Sequence, residues 1–272
     1  MQRKILHYYG GKTFMIPDIV KAVSPLWSAG KMKCFVDVFG GSGNVLLNIP
    51  DEWKLNRVYN DIDSNLIALI RVLVNDEERE RLFRRLEYTV RSRELFEQFV
   101  EEGYVGNDFE DAFRYLYRNM NSYSADMKTY GVGINIFYNV PTQTKNNLRE
   151  YARFMSSWNV EHLDYRELFK KYDGENTFFY LDPPYLKGGK TYAHIFDIGD
   201  FWNLKDALDR LKGSWLMNES EVDFPDMIKI FGEPRFVSEY RNNVTAKDMS
   251  IVRKEGYWSN FDLGVVNGRP TE

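Results

Sequence analysis

Apolar and polar positions alternate in two distinct rhythms along this chain. Cys34 to Phe39 and Thr177 to Leu181 are short, nearly continuous apolar runs, the first interrupted by Asp37. Runs of this length, bounded by turn residues, predict buried strands. Val58 to Asp61 predicts another, residues 214–218 a fourth, and mixed strands follow as far as Val266. Helical periodicity predicts helices over 14–28 (closing near Pro25), from Asn44 to Asn48, over 66–74, over 109–120 and over 202–212. From Glu77 to Glu102 the pattern is helical throughout, with Leu82, Leu86, Val90, Phe96 and Val100 at roughly helical spacing among charges. Residues 121–147 lose all periodicity and are rich in Asn, Tyr, Ser and Gly. Strands alternating with helices at both ends predict an open α/β sheet. The middle breaks that rhythm. The expected organisation is therefore one sheet domain built from 1–76 and 161–272, with a mostly helical subdomain inserted at 77–160.

Composition changes this picture little. Of the 272 residues, 43% are hydrophobic and 28% charged, enough for a sizeable core in an ordinary globular chain. Aromatics reach 16%; they are core material first, and also what a protein handling unstacked bases uses. A net charge of -4 gives no global attraction to nucleic acid, so any such partner needs a local basic surface. Arg81, Arg84, Arg85, Arg91 and Arg93 form the densest basic stretch, which serves either that purpose or the solvation of a helix face. Cys34 is the single cysteine, which excludes an intrachain disulfide and a cysteine zinc cluster. It lies among apolar residues, as a core cysteine does, and not in the setting of a nucleophile for cytosine-C5 methylation. No apolar run is long enough to span a bilayer, and Met1 to Lys12 is basic without a signal peptide's apolar stretch. A reducing cytoplasm is the expected compartment.

Two motifs carry chemistry. In Phe35-Val36-Asp37-Val38-Phe39-Gly40-Gly41-Ser42-Gly43 a strand runs into a glycine-rich turn and then a helix, an arrangement that lets backbone approach a nucleotide closely. Alone it is equally a structural turn. Asp61 follows Gly41 by 20 residues, at the end of the next strand, where a carboxylate can accept hydrogen bonds from ribose hydroxyls. The second motif is Asp182-Pro183-Pro184-Tyr185, directly after the strand Phe178-Phe179-Tyr180-Leu181. Two prolines fix a rigid extended turn and remove two N–H donors. One carboxylate and one carbonyl can then accept the two hydrogens of an amino group, and the tyrosine ring can stack on a flat base.

Together these motifs resemble the amino-methyltransferases, and their order resembles the Dam-type (class alpha) adenine-N6 DNA methyltransferases over nearly the whole chain. Tyr8-Tyr9-Gly10-Gly11-Lys12 is similar to that family's N-terminal aromatic-x-Gly-Gly-Lys motif, Phe39-x-Gly41-x-Gly43 to its cofactor loop, and Asn60-Asp61-Ile62-Asp63 to its ribose-binding segment. Asp164-Tyr165 resembles the pair near the cofactor's adenine, Asp182 to Tyr185 the catalytic motif, and Leu263 to Asn267 the closing strand. The resemblance implies a Rossmann-like sheet binding S-adenosylmethionine through Tyr8, Lys12, Asp37, Phe39, Gly41, Gly43, Asp61, Ile62, Asp164, Tyr165 and Asp182. It implies catalysis by Asp182, Pro183, Pro184 and Tyr185, with no metal. It further implies a monomer acting on double-stranded DNA, with no membrane, in the cytoplasm of a bacterium or encoded by its phage. Lys12 has a separate rationale, since a cation beside a glycine pair can hold the cofactor's carboxylate.

The middle departs from the family. Tyr138-Asn139-Val140-Pro141 resembles the end of its target-recognition region, but Thr142-Gln143 replaces the usual aromatic-glycine, and Tyr117 to Ser124 fits the recognition loop only loosely. Arg118, Asn119, Asn121, Lys128 and Asn139 are the candidates for contacts with bases or phosphates. Adenine's amine is a poor nucleophile because its lone pair is delocalised. Accepting its hydrogens at Asp182 and at the Pro183 carbonyl would localise that pair, with the base flipped out of the duplex and stacked on Tyr185. Rival readings are cytosine-N4 methylation, where Ser often stands in place of Asp182; methylation of RNA or of a protein amide; and a DNA-binding relative without catalysis.

Overall fold

The strands sort by what flanks them. β1 (Cys34–Asp37), β2 (Asn56–Asn60) and β4 (Thr177–Leu181) are short and buried along almost their whole length, as parallel strands covered on both faces are. β5 (Ser214–Ser220), β6 (Phe236–Asn242), β7 (Ile251–Ser259) and β8 (Arg269–Pro270) complete the sheet; β3 (Asn159–Glu161) precedes β4 in the chain. The computed structural model describes residues 15–122, 126–131, 142–186, 196–242, 251–263 and 269–270. These fall into two compact units: a helical unit from 40–48 and 61–162, and a sheet unit from 15–39, 49–60 and 163–270.

Seven strands of the sheet unit follow the order β2-β1-β4-β5-β7-β6-β8. β2, β1, β4 and β5 are parallel, with Val36 opposite both Val58 and Phe179. β7 runs antiparallel between β5 and β6, and β8 is antiparallel to β6. This is a Rossmann-like methyltransferase sheet, as expected from the sequence. Its core joins Val36, Val58, Phe179, Leu181 and Met217 to the apolar faces of α8 (Tyr165–Tyr172), α9 (Ile198–Leu208) and α10 (Phe224–Phe231). Burying each large side chain there contributes about 1.5–3 kcal/mol.

α1 (Ile16–Ser28) buries Ile16, Ile19, Ala22, Val23 and Leu26, a stripe at helical spacing. It runs past Pro25, where a stop was expected. Proline removes the hydrogen bond to the Lys21 carbonyl, and the Ser24 hydroxyl donates to that carbonyl instead, at 2.9 Å. α9 starts earlier than the expected 202 because Asp197 and Asp200 form a reciprocal capping box. α10 has no counterpart among the expected elements.

The helical unit holds α2 (Asn44–Asn48), α3 (Ser64–Val74), α4 (Asp76–Glu87), α5 (Arg93–Glu102), α6 (Asp108–Asn121) and α7 (Thr142–Met155). The single helical run expected over 77–102 is two helices. Ser92 caps α5 through the Leu95 N–H, and the Tyr117 hydroxyl accepts from the Ser92 N–H and donates to the Val90 carbonyl. Residues 142–147, expected to be irregular, are the first turns of α7. α3 buries Leu66, Ile67, Ala68, Leu69, Ile70, Val72 and Leu73, apolar on nearly every side, and packs on α4, α6 and α7. Its surface is therefore satisfied by helices of the same unit. Among the described residues no helix is long and apolar enough to cross a membrane.

Candidate active site

Strand order reverses at β1, whose neighbours are β2 on one side and β4 on the other. Open α/β sheets bind ligands outside the carboxyl ends of the strands at such a point. Asp37 ends β1 with 1% exposure, opposite Tyr180, and the Val38 N–H continues the ladder to the Tyr180 carbonyl at 3.0 Å. β4 leads into Asp182, which stays partly exposed beside the buried Pro183. The Asn218 amide, from β5, donates to Asp182 Oδ1 at 3.1 Å, and the Tyr180 hydroxyl donates to Asn218 Oδ1 at 2.6 Å. Pro184 and Tyr185 are partly exposed, and the Tyr185 hydroxyl donates to Glu255 of β7 at 3.2 Å. Glu255 is 5% exposed, so a buried carboxylate tethers this ring.

Asn60 braces the neighbouring strand ends. Its amide donates to the carbonyls of Val38 (2.9 Å) and Leu163 (3.0 Å), and its oxygen accepts from the Leu163 N–H (2.9 Å). That holds residues 163–165 beside the end of β1. Phe39, Tyr165 and Phe196 meet there with ring centroids 5.6–6.2 Å apart. Asp164 caps α8 through the Arg166 N–H, and the Arg166 side chain binds its carboxylate at 2.7 and 3.0 Å. That hydrogen bonding holds the Asp164 carboxyl below its ordinary pKa.

In the helical unit Gly41 and Gly43 have φ of 50° and 68°, left-handed backbone that disfavours any side chain. The Gly43 N–H donates back to the Gly40 carbonyl, closing the turn before α2. Asp61 Oδ2 accepts from the Gly41 N–H at 2.7 Å and Oδ1 from the Asp63 N–H at 2.8 Å. Burial pushes the Asp61 carboxyl up to about 6, against these two backbone bonds. Ile62 keeps 42% of its surface exposed although it is apolar, and its carbonyl lies 3.1 Å from His162 Nε2.

A model of the D12 class of N6 adenine-specific DNA methyltransferases matches residues 8–221. The chain belongs to that family. It is an adenine-N6 DNA methyltransferase, and S-adenosylmethionine is its methyl donor. A curated relative, the Type II methyltransferase M.MjaIII of Methanocaldococcus jannaschii, is 25% identical over 253 residues, covering 82% of this chain and 86% of the relative.

The side chains present in this methyltransferase suit that donor. A carboxylate offers about four lone-pair directions. The Gly41 and Asp63 N–H groups take one each at Asp61, which leaves room for a sugar diol. Among the described residues no group of three or more His, Cys, Asp or Glu is arranged to hold a metal.

Several expected site residues fare differently. Asn119 and Asn121 are buried; Asn121 accepts from Arg91 Nε at 2.7 Å and donates to the Tyr117 carbonyl. The Asn121 amide is held inside the helical unit by these two bonds. Arg118 is largely occupied too, with Nε and Nη2 both donating to the Met127 carbonyl. Lys128 is exposed. Tyr8, Lys12, Asn139, the segment 138–141 and residues 264–267 lie outside the described residues. Sequence reasoning missed Asn218 and Glu255, which meet the Asp182 to Tyr185 turn from β5 and β7. A polar Asn-Glu pair closing the apolar strand Ser214 to Met217 was the available signal for Asn218.

Proposed function

We propose that Asp182, Pro183, Pro184 and Tyr185 carry the methylation step. The Asp182 carboxylate and the Pro183 carbonyl accept the two hydrogens of the adenine amine, drawing its lone pair out of the ring. When bound, the donor supplies a methyl group on a sulfonium, already a good leaving group. Asp61 holds its ribose, Gly41 and Gly43 let the backbone approach it, and Asp37, Phe39, Ile62, Asp164 and Tyr165 complete its surroundings together with Tyr8 and Lys12. The amine is inaccessible inside double-stranded DNA, so the base flips out and stacks on Tyr185. The protein acts as a monomer in the cytoplasm. Residues 77–160 choose the DNA sequence.

The observation that carries this reading is the fixed carboxylate at the reversal of strand order, Asp182 on Asn218 after β4. The test is methyl transfer from labelled donor to DNA containing the target site. Asp182→Ala should lose at least ~10²–10³-fold in kcat with much less change in donor affinity. Tyr185→Ala should lose the ~1–3 kcal/mol of a stacking face, and Tyr185→Trp should retain more activity. A fully active Asp182→Ala enzyme would leave the motif a structural turn.

A further inference from the structure

The catalytic motif meets a buried side chain that no motif of the family reading includes. Asn218 lies on β5 with no exposed surface. Its amide has two ends. Nδ2 donates to Asp182 Oδ1 at 3.1 Å, and Oδ1 accepts from the Tyr180 hydroxyl at 2.6 Å. Turning the amide over would face its oxygen to the Asp182 carboxylate, acceptor against acceptor, so Asp182 itself selects the orientation. The Tyr180 hydroxyl then makes that choice rigid.

Tyr180 is suited to this part. It is buried on β4 with its hydroxyl pKa pushed far up, first by burial and then by Asp182, Asp37 at the end of β1, Glu255 on β7 and Tyr240 on β6. Burial above all, with these four neighbours, favours the neutral hydroxyl, a donor. It therefore cannot become a second negative charge beside the motif.

We infer that Asn218, held by Tyr180, is a positioning residue for the methylation step, holding the Asp182 carboxylate in one rotamer. This rests on the reading of Asp182 as the acceptor of the amine's hydrogens. The Asn218 N–H occupies Asp182 Oδ1 and so fixes how the carboxylate is turned.

The test uses the full chain with DNA containing its site. Asn218→Ala removes both ends of the link. Asn218→Asp keeps the acceptor for Tyr180 but sets a carboxylate against Asp182, and Tyr180→Phe releases the amide while leaving its donor in place. Expected for Asn218→Asp is a kcat loss of up to about 100-fold, with donor and DNA affinities near wild type and the acid limb of the kcat–pH profile moved upward. Tyr180→Phe should lose less and leave that limb near its wild-type position. Should Asn218→Ala fail to fold, the other two variants carry the test, with thermal melting to report their folded fraction. A wild-type kcat and pH profile in Asn218→Asp, alongside an inactive Asp182→Ala, would overturn this inference and leave the reading of the motif intact. A kcat loss matched by the loss of folded protein, with no movement of the acid limb, would overturn it too. A fully active Asp182→Ala would overturn the reading of the motif and this inference with it.

Discussion

Asp61 shows how one carboxylate serves two ends. It fixes the glycine turn through the Gly41 N–H and, in the proposed site, accepts the donor's ribose hydroxyls. Burial raises its carboxyl pKa from 3.8 to about 6; Asp63 adds to the rise, while backbone bonds and His162 oppose it. The folded chain then binds the proton more tightly than the unfolded one. Between those values stability falls as pH rises, and above about 6 the penalty is complete. Hydroxyl donors favour the ionised carboxylate, so affinity for S-adenosylmethionine should have the opposite slope. Calorimetry should show it level above about pH 7 and weakening as pH falls through 6, with Asp61→Asn flattening the dependence. The same slope in wild type and Asp61→Asn would assign the titration to another group. At neutral pH, Asp61→Ala should weaken binding by about 1–3 kcal/mol. At this scale Asp61 was legible from its spacing to Gly41, because the glycine turn and the next strand end are fixed by chain length alone. Asn218 was not legible, since nothing in sequence places β5 beside β4.

At the scale of elements, the sheet holds its strand ends together with few side chains. Asn60 closes β2 and satisfies groups on both Val38 and Leu163, 103 residues away in sequence for the latter. Asn60→Ala would leave buried backbone groups without these partners, at about 1–3 kcal/mol each. Urea unfolding should show a lower midpoint, and donor affinity should fall as residues 163–165 lose their anchor. A midpoint within experimental error of wild type would mean that water replaces the amide without loss. Asn60 stood in the sequence as part of a ribose-binding resemblance; its bracing of a distant segment is a matter of tertiary register. The break between α4 and α5 teaches a related lesson. The apolar spacing continues through Val90, but Ser92 and Tyr117 capture the backbone there, and capping outweighs periodicity.

For the whole molecule, the question is where a chain of net charge -4 meets a polyanion. The dense arginine run mostly serves the helical unit itself. Arg85 is paired with Glu110 and its guanidinium lies 3.8 Å from the Phe113 ring centroid; Arg81 pairs with Glu78 and Arg93 with Glu97. DNA affinity should still fall steeply with salt, because phosphate contacts release counterions. Arg85→Ala should leave that salt slope unchanged and lower the melting temperature, since its partners are internal. A slope reduced by about one unit would instead mark Arg85 as a phosphate contact. Exchanging residues 77–160 for those of a relative with another specificity should move the methylated site. Sequencing that detects modified bases would read it, and retention of the parent's site would put recognition elsewhere.

The sequence by itself determined the parallel strands of the sheet, the sheet class, the glycine turn and the rigid turn from Asp182 to Tyr185. Those follow from local rules: apolar runs, backbone freedom at Gly41 and Gly43, and two prolines after a strand. Tertiary structure decided which polar side chains face inward and what they hold. It buried Asn119 and Asn121, spent Arg118 and Arg85 on partners within their own unit, and joined Asp182 to Asn218 and Tyr185 to Glu255. The physical reason is that a polar residue's fate depends on partners distant in sequence. An amide is a DNA contact or a structural brace according to whether packing leaves its donors and acceptors outside or requires them within.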